Sequence, residues 1–412
     1  MCIRDRSWSY RAFRSFLMER MTGSGTLIFY LGLGSNLLNG GSALFKGHLL
    51  ACALAAILLV SMVAARLARL RLKVTPYIPD RVTQGQPFEI ACRVENDTSK
   101  TAVDVNLRLI GLPRRTGLEQ EFGPYLGHLE PGQSKTGSWT VTLTRRGRYV
   151  VDSIHQATVF PFGLWRDWYS HPVARSLLVY PKFQPLLTLD MPVGRKYQPG
   201  GMALTSSVGD STEFLGVREF RAGDSLRMIH WRSWARRGKP VVKEFQEEFF
   251  CRIALVLDTF LSPADVKARR PDFEASISLA AAVSDQISRD EYVIDLFAAG
   301  PELYQLQAGR SLAYLENVLD ILACVEPCTE PAFQKLEPIL LDGLENVTTT
   351  VVILLAWDEA RMRLLRAVRE RGCALKVIFI GDNLGDLSSV QDFADAHHSF
   401  TAAQIVQGVD RL

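Results

Sequence analysis

The chain has 412 residues, of which 47% are apolar and 22% charged, and its formal net charge is +3. This length accommodates about two to three domains, and the composition excludes a disordered or low-complexity polypeptide. A charge so close to neutral also excludes a generally basic, nucleic-acid-coating surface, so any strong field has to be local.

The seven cysteines, Cys2, Cys52, Cys92, Cys251, Cys324, Cys328 and Cys373, are odd in number and irregularly spaced, and no CxxC occurs. That usage speaks against a disulfide framework and for a reducing compartment. Cys324 and Cys328 have no second ligand pair beside them and read as two half-buried thiols in preference to a zinc site.

Residues 1–73 read as a membrane hairpin with basic flanks. The segment 48–73, HLLACALAAILLVSMVAARLARLRLK, has an uncharged apolar core from Leu49 to Ala65. That is near the short end of the roughly 17–25 residues a spanning helix needs. Arg66, Arg69, Arg71 and Lys73 follow as a stop-transfer flank would. Residues 25–45 are uncharged but rich in Gly and Asn, giving a weaker span or a re-entrant segment, with a single span as the alternative. Arg4, Arg6, Arg11, Arg14 and Arg20 precede that segment, and Lys46 is the only basic residue between the two. Lys and Arg at both ends place the N-terminus and everything after residue 66 on the cytoplasmic side. A cleaved signal peptide fits poorly, because the best apolar run starts too far into the chain. The opening MCIRDR matches no structural pattern and carries little weight.

Residues 74–182 change texture. Segments 87–96, 103–110, 137–144, 147–160 and 176–181 are short, rich in β-branched residues and in several places alternate apolar with polar. Turn signals stand between them at Gln84-Gly85-Gln86, Asn96-Asp97, Pro131-Gly132 and Arg146-Gly147. Regular short strands of this kind predict an immunoglobulin-like β-sandwich, without the Cys…Trp…Cys pattern of antibody domains. The aromatic-rich VFPFGLWRDW (159–168) reads as a loop anchored into that sandwich, with a binding role as the alternative.

Residues 183–250 open with a Gly/Ser/Thr-rich run, 201–217, that reads as an exposed loop. Residues 218–245 then concentrate eight Lys or Arg, one His and two Trp. A helix from Ser225, N-capped by Asp224, would put Arg227, Trp231 and Trp234 on one face. Gly238-Lys239-Pro240 would end it, and PVVKEFQEE would continue as an edge strand. Glu219, Asp224, Glu244, Glu247 and Glu248 interleave with the cations, so no nucleic acid is expected there. Arginines held by carboxylates and stacked on Trp suit a structural clamp or a protein-docking face; a small anionic ligand is a further alternative. The interaction or interdomain residues singled out are Glu219, Arg221, Asp224, Arg227, His230, Trp231, Arg236 and Lys243.

Residues 251–412 alternate strand-like runs (252–258, 292–298, 349–357, 374–381) with helical ones (273–288, 311–323, 359–372). Strands apolar on both faces between amphipathic helices predict a doubly wound, mostly parallel α/β sheet. Ligand crevices in such sheets lie beyond the carboxyl ends of the strands, where Asp258 would stand. Asp258 and Ser262 resemble the Asp-x-Ser-x-Ser metal loop of von Willebrand factor A-like domains, but Phe260 offers no oxygen in its middle. Asp358 could complete a degenerate site for Mg2+ or Mn2+. No GxGxxG, GxxxxGK[ST] or GxSxG occurs in a fitting context. His230 has no partnered nucleophile, which leaves a cryptic hydrolase built on His230 and Asp224 as a weaker alternative to a non-enzymatic chain.

The stretch Glu213-Phe214, Arg218-Glu219-Phe220, Gly223-Asp224, Arg227, Ile229-His230-Trp231, Ala235-Arg236 and Val242-Lys243-Glu244-Phe245 resembles the hallmark of domain-of-unknown-function family 58. The paired N-terminal apolar segments, the PFGLWR at 161–166 and the strand ending in Asp258 are similar too. That resemblance implies a bacterial inner-membrane protein with cytoplasmic soluble domains and a von Willebrand factor A-like C-terminal domain. It also implies work beside a MoxR-type AAA+ ATPase and membrane partner proteins. The expected function is therefore a membrane-anchored, non-enzymatic adaptor held in the lipid bilayer, with a cation-dependent binding module as the alternative.

Overall fold

The computed structural model describes residues 20–37, 46–113, 123–192, 214–245, 252–290, 292–299, 303–307, 313–330, 333–344, 347–382, 384 and 387–412. Arg4, Arg6, Arg11, Arg14, Glu213, Glu247 and Glu248 and most of the 201–217 loop lie outside the described residues. The contacts divide the chain into two units, Met1–Tyr180 and Pro181–Leu412.

The first unit opens with two helices packed on each other, α1 (Gly23–Leu37) and α2 (Lys46–Ala68). From Gly47 to Ala68 the second runs 22 residues, reaches a mean hydropathy of 2.4 over its most apolar 18 and is largely uncovered there, so among the described residues one helix is long and apolar enough to cross a bilayer. At about 1.5 Å per residue it reaches about 33 Å, enough for a hydrocarbon core of ~30 Å. The 15 residues of α1 reach about 22 Å and fall short of it. Thr22 starts α1 by accepting the Gly25 amide at 3.1 Å while its hydroxyl donates to the Gly163 carbonyl at 2.6 Å.

Eight strands follow: β1 (Lys73–Tyr77), β2 (Arg81–Thr83), β3 (Pro87–Glu95), β4 (Ala102–Ile110), β5 (Tyr125–Leu129), β6 (Ser134–Thr142), β7 (Gly147–Thr158) and β8 (Asp167–Tyr180). They form a three-stranded sheet in the order β1-β3-β6 and a five-stranded sheet in the order β2-β8-β7-β4-β5. Alternation explains the arrangement. Ile90, Cys92 and Val94 of β3 and Trp139 and Val141 of β6 point into one core with Leu107, Ile154 and Leu177 of the larger sheet. β1, β2 and β5 go beyond the sequence expectation because they are short and lack an apolar run, and β8 starts nine residues earlier than expected, at Asp167. Its first half, DWYSHPV, has no continuous apolar run and pairs with β7 from Thr158↔Asp167 onward, so main-chain pairing marks it as a strand.

The second unit carries a two-stranded sheet, β9 (Phe214–Glu219) against β10 (Val241–Phe245), with helix α3 (Trp231–Arg237) between them. A six-stranded sheet follows, built from β11 (Arg252–Leu257), β12 (Val293–Ala299), β13 (Leu303–Gln307), β14 (Thr349–Leu354), β15 (Ala374–Ile380) and β16 (Ala396–Phe400). Its order is β13-β12-β11-β14-β15-β16, parallel throughout except for the antiparallel edge strand β13. The helices are α4 (Arg270–Arg289), α5 (Ala313–Cys324), α6 (Phe333–Gly343), α7 (Glu359–Glu370) and α8 (Ala402–Gln407). Every residue of β14 and β15 is buried, which is why those strands read as apolar runs broken only by Thr349, Thr350 and Lys376.

β13, α6, β16 and α8 go beyond the sequence expectation, for local reasons. Pro338 sits inside α6 and argues against a helix from sequence. The AHHSF of β16 has no apolar run and is an edge strand held by pairing to β15. The segment before residue 193 reaches the sheet at two points. Lys376 Nζ, on a buried side chain, donates to the Asp190 carbonyl at 2.6 Å, and Thr349 Oγ1 donates to the Pro192 carbonyl at 2.9 Å. Burial pushes the Lys376 amine below its usual pKa.

Candidate functional site

The carboxyl end of β11 delivers Asp258, as the alternating pattern predicts, and the residue is 1% exposed. Its Oδ1 accepts the Phe260 amide at 3.0 Å and its Oδ2 accepts the Leu355 amide at 3.0 Å. The same Oδ2 receives Arg361 Nε at 2.8 Å and Nη2 at 2.6 Å. Arg361 lies in the first turn of α7, and its Nη1 bonds Asp358 Oδ2. Asp358 is the N-cap of that helix and accepts the Arg361 amide at 2.9 Å on Oδ1. The guanidinium carbon lies 5.0 Å from the Phe333 ring centroid and 5.8 Å from that of Phe260. One buried arginine thus joins the two expected carboxylates.

Ser262 is not part of this cluster. Its hydroxyl donates to Asp265 Oδ2 at 2.7 Å, inside the turn that leads to α4. The loop 258–262 is pinned from the other side by Cys328, whose backbone accepts from the Leu261 amide at 2.9 Å and donates to the Thr259 carbonyl at 2.7 Å. These residues do not fit Mg2+ or Mn2+. Both carboxylates face a fixed guanidinium, Phe260 has no oxygen to give, and no cluster of three or more His, Cys, Asp or Glu suited to a metal occurs among the described residues.

Arg361 is hard to single out from sequence because α7 is rich in arginine. The signal was its place on the apolar face: residues 361, 364, 365 and 368 share the spacing of a buried helix stripe, and all four are buried. An arginine on such a stripe, three residues after an N-cap Asp, asks for a buried carboxylate.

The arginine–tryptophan stretch folds differently from the single helix expected. Leu226–Met228 make a short 3-10 turn, then Ile229 turns extended, is 6% exposed and bridges to Val242. Burial of Ile229 against β10 breaks the helix, and the α-helical turn restarts at Trp231 with His230 as its N-cap. Asp224 caps neither. Its oxygens take both Arg218 nitrogens at 2.7 Å and the Arg221 amide at 2.7 Å. Those Arg218 hydrogen bonds, with the Arg221 amide second, hold the Asp224 carboxyl down at about 2. His230 Nδ1 lies 2.6 Å from Ser233 Oγ and its amide donates to the Val241 carbonyl at 2.8 Å, so Asp224 and His230 are not brought together as a dyad.

Gly238 ends α3 in the left-handed region, φ 68°, with its amide on the Trp234 carbonyl. Residues 214–217, expected as loop, belong to β9. Trp231 stacks on Trp234 at 5.3 Å between ring centroids yet is itself 66% exposed. Arg221, Arg227, Arg232, Arg236, Arg237 and Lys243 are exposed as well. Glu219 is exposed and meets Lys239 at 3.7 Å, a surface pair of little energetic weight.

The fold and site define a mixed α/β unit whose strand-end carboxylate is closed by an arginine and which follows an Arg/Trp-rich hairpin. Residues 216–400 match the family described as "Protein of unknown function DUF58", a span running from within β9 to the end of β16. The uncharacterized protein YeaD of Bacillus subtilis (strain 168) is 24% identical over 225 residues, covering 53% of this chain and 54% of that protein. The chain therefore spans about half the length of the curated relative it matches. Among solved structures, proximal thread matrix protein 1 from the mussel byssus is similar at 14% identity over 38% of this chain and 43% of its own, with a TM-score of 0.29. The manganese-loaded TRAP protein of Plasmodium vivax is similar at 17% identity over 39% and 72%, with a TM-score of 0.25. Scores of that size define no common fold.

Proposed function

We propose that the chain is a membrane-held, non-enzymatic interaction protein that presents its second unit to a protein partner. The sandwich is read as immunoglobulin-like and the C-terminal sheet as a von Willebrand factor A-like domain working without a cation. The strand order β13-β12-β11-β14-β15-β16 with its antiparallel edge supports that reading of the sheet. The apolar length of α2 supports a tether in the inner membrane, with the basic residues after it on the cytoplasmic side.

One observation carries the docking role: Trp231 stands exposed on a stacked Trp pair, in a stretch whose Arg227, Arg232 and Arg236 are exposed as well. Exposed Trp amid Arg is the composition of binding hot spots, and the surplus of cations fits a partner with an acidic face. The resemblance to family 58 makes a MoxR-type AAA+ ATPase the partner of choice. The arginine that closes the Asp258 crevice leaves that carboxylate committed to structure, which favours binding over catalysis.

The test is binding of the purified MoxR-type ATPase of the same organism to the full chain in nanodiscs. Wild type is expected to bind, to weaken with added salt, and to lose at least about 2 kcal/mol on Trp231→Ala, as hot-spot residues do. Equal binding by wild type and Trp231→Ala, or no binding by either, would refute the assignment.

A further inference from the structure

The first unit holds a cavity that the docking role does not use. It has a volume of about 540 Å3 and lies against β4, β7 and β8, with Thr22, Asn106, Arg108, His155, Arg166 and Trp168 in its lining. Register explains the grouping. Arg108 pairs with His155, Asn106 with Ala157, and Ala157 with Trp168, so these side chains share the face of the sheet opposite the core. None of the described lining residues is acidic. Arg108 is half-buried and makes no ion pair among the described residues. Trp168 stacks on His155 at 5.8 Å between centroids and carries the Arg20 guanidinium 4.3 Å from its ring.

The cavity stands where both helices meet the sandwich. Thr22, in its wall, immediately precedes α1, and Arg69 immediately follows α2. Arg20 and Arg69 converge on Asp167, at 2.6 and 3.4 Å, next to Trp168. Phe160 and Phe162, 40% and 55% exposed, stand in the loop whose Gly163 and Leu164 carbonyls hold Thr22. Exposed phenyl rings suit the acyl side of the interface, the half-buried Trp168 and Tyr169 are of the amphipathic kind that sits at headgroup level, and each headgroup layer is about 5–7 Å deep. With α2 spanning the bilayer, Thr22 and the part of the cavity wall it forms fall at headgroup depth.

We propose that this cavity binds the phosphate of an anionic phospholipid headgroup. Arg108 and Arg166 supply the cationic donors, Thr22 and Asn106 further hydrogen bonds, and Trp168 an apolar wall for the glycerol. The assignment rests on the membrane reading above. A soluble phosphate offers the same chemistry, and the test separates the two sources.

The experiment uses the full chain in nonionic detergent, titrated with short-chain dihexanoyl phosphatidylglycerol, dihexanoyl phosphatidylcholine or inorganic phosphate and read by native mass spectrometry. Phosphatidylglycerol is expected to bind tightest, and Arg108→Ala to weaken it about fivefold, the contribution of one arginine at an anionic headgroup, with unchanged melting temperature. Arg108→Lys is expected to restore part of that loss. Equal binding of the two lipids, or an unaltered affinity in Arg108→Ala, overturns the proposal. Inorganic phosphate binding as tightly as phosphatidylglycerol overturns it in favour of a soluble ligand. Flotation on phosphatidylcholine vesicles containing phosphatidylglycerol is the separate arm. Lost flotation with retained lipid binding contradicts the membrane reading alone, and retained flotation without lipid binding contradicts the cavity assignment alone.

Discussion

Arg361 sets its Nη2 2.6 Å and its Nε 2.8 Å from Asp258 Oδ2, and the two side chains are 2% and 0% exposed. The pair ties the first turn of α7 to the end of β11, with the Leu355 amide after β14 on the same carboxylate. A buried carboxylate without its cation is costly, because desolvation is then uncompensated. Arg361→Ala is therefore expected to destabilise the second unit by about 3–5 kcal/mol. Arg361→Met combined with Asp258→Asn is expected to recover much of that loss. Guanidinium denaturation of the purified full chain, followed by tryptophan fluorescence, checks both; equal stability of wild type and Arg361→Ala would contradict the geometry.

The same pair predicts indifference to metal. Titration with Mg2+ or Mn2+ and treatment with EDTA are each expected to leave the melting temperature of the wild-type chain unchanged. Calorimetry should register no binding heat at Asp258 that Asp258→Asn removes. A melting temperature that rises with Mn2+ in wild type and not in Asp258→Asn would show that the guanidinium yields to a cation.

Asp224 gives a pH prediction. Its carboxyl is depressed from an ordinary 3.8 to about 2, chiefly by the Arg218 hydrogen bonds. A group depressed in the folded state adds stability above its unfolded pKa, and that stability is lost as pH falls through the folded value. The turn joining Arg218 to Asp224 is thus expected to hold down to about pH 4 and to loosen between there and about pH 2. Carbon-detected NMR titration of the Asp224 carboxyl checks this, and Arg218→Ala should return its midpoint toward 3.8.

Cys92 lies in the sandwich core, fully buried, and burial pushes its thiol up to about 12. A chain retaining only Cys92 is expected to resist maleimide at pH 8 until it is unfolded, whereas one retaining only the half-buried Cys328 should label in the folded state. Labelling Cys92 at the rate of Cys328 would contradict the packing of β3.

Much of this architecture was legible because burial writes a period into the sequence. The apolar runs of β11, β14 and β15 and the helical stripe of α4 marked the α/β unit, and Asp258 fell where such sheets place their crevice. Strands made by pairing alone, such as β13 and β16, left no such trace. The helix drawn through 225–237 failed because Ile229 is drawn to β10, a long-range contact that local propensity does not encode. Asp258, Ser262 and Asp358 were grouped by spacing, yet Arg361 divides them, joining the two aspartates and leaving Ser262 to Asp265. The cavity beside Trp168 joins residues from the start of α1, from β4 and from β7, too far apart in sequence to form a motif.

The central claim is that the arginine–tryptophan hairpin faces the cytoplasm, tethered by α2. The most direct measurement places a cysteine at position 231 of an otherwise cysteine-free chain and treats cells with a membrane-impermeant maleimide. Labelling only after the cells are permeabilised is the predicted result. Labelling of position 231 in intact cells would place the docking face on the wrong side of the bilayer and contradict the claim.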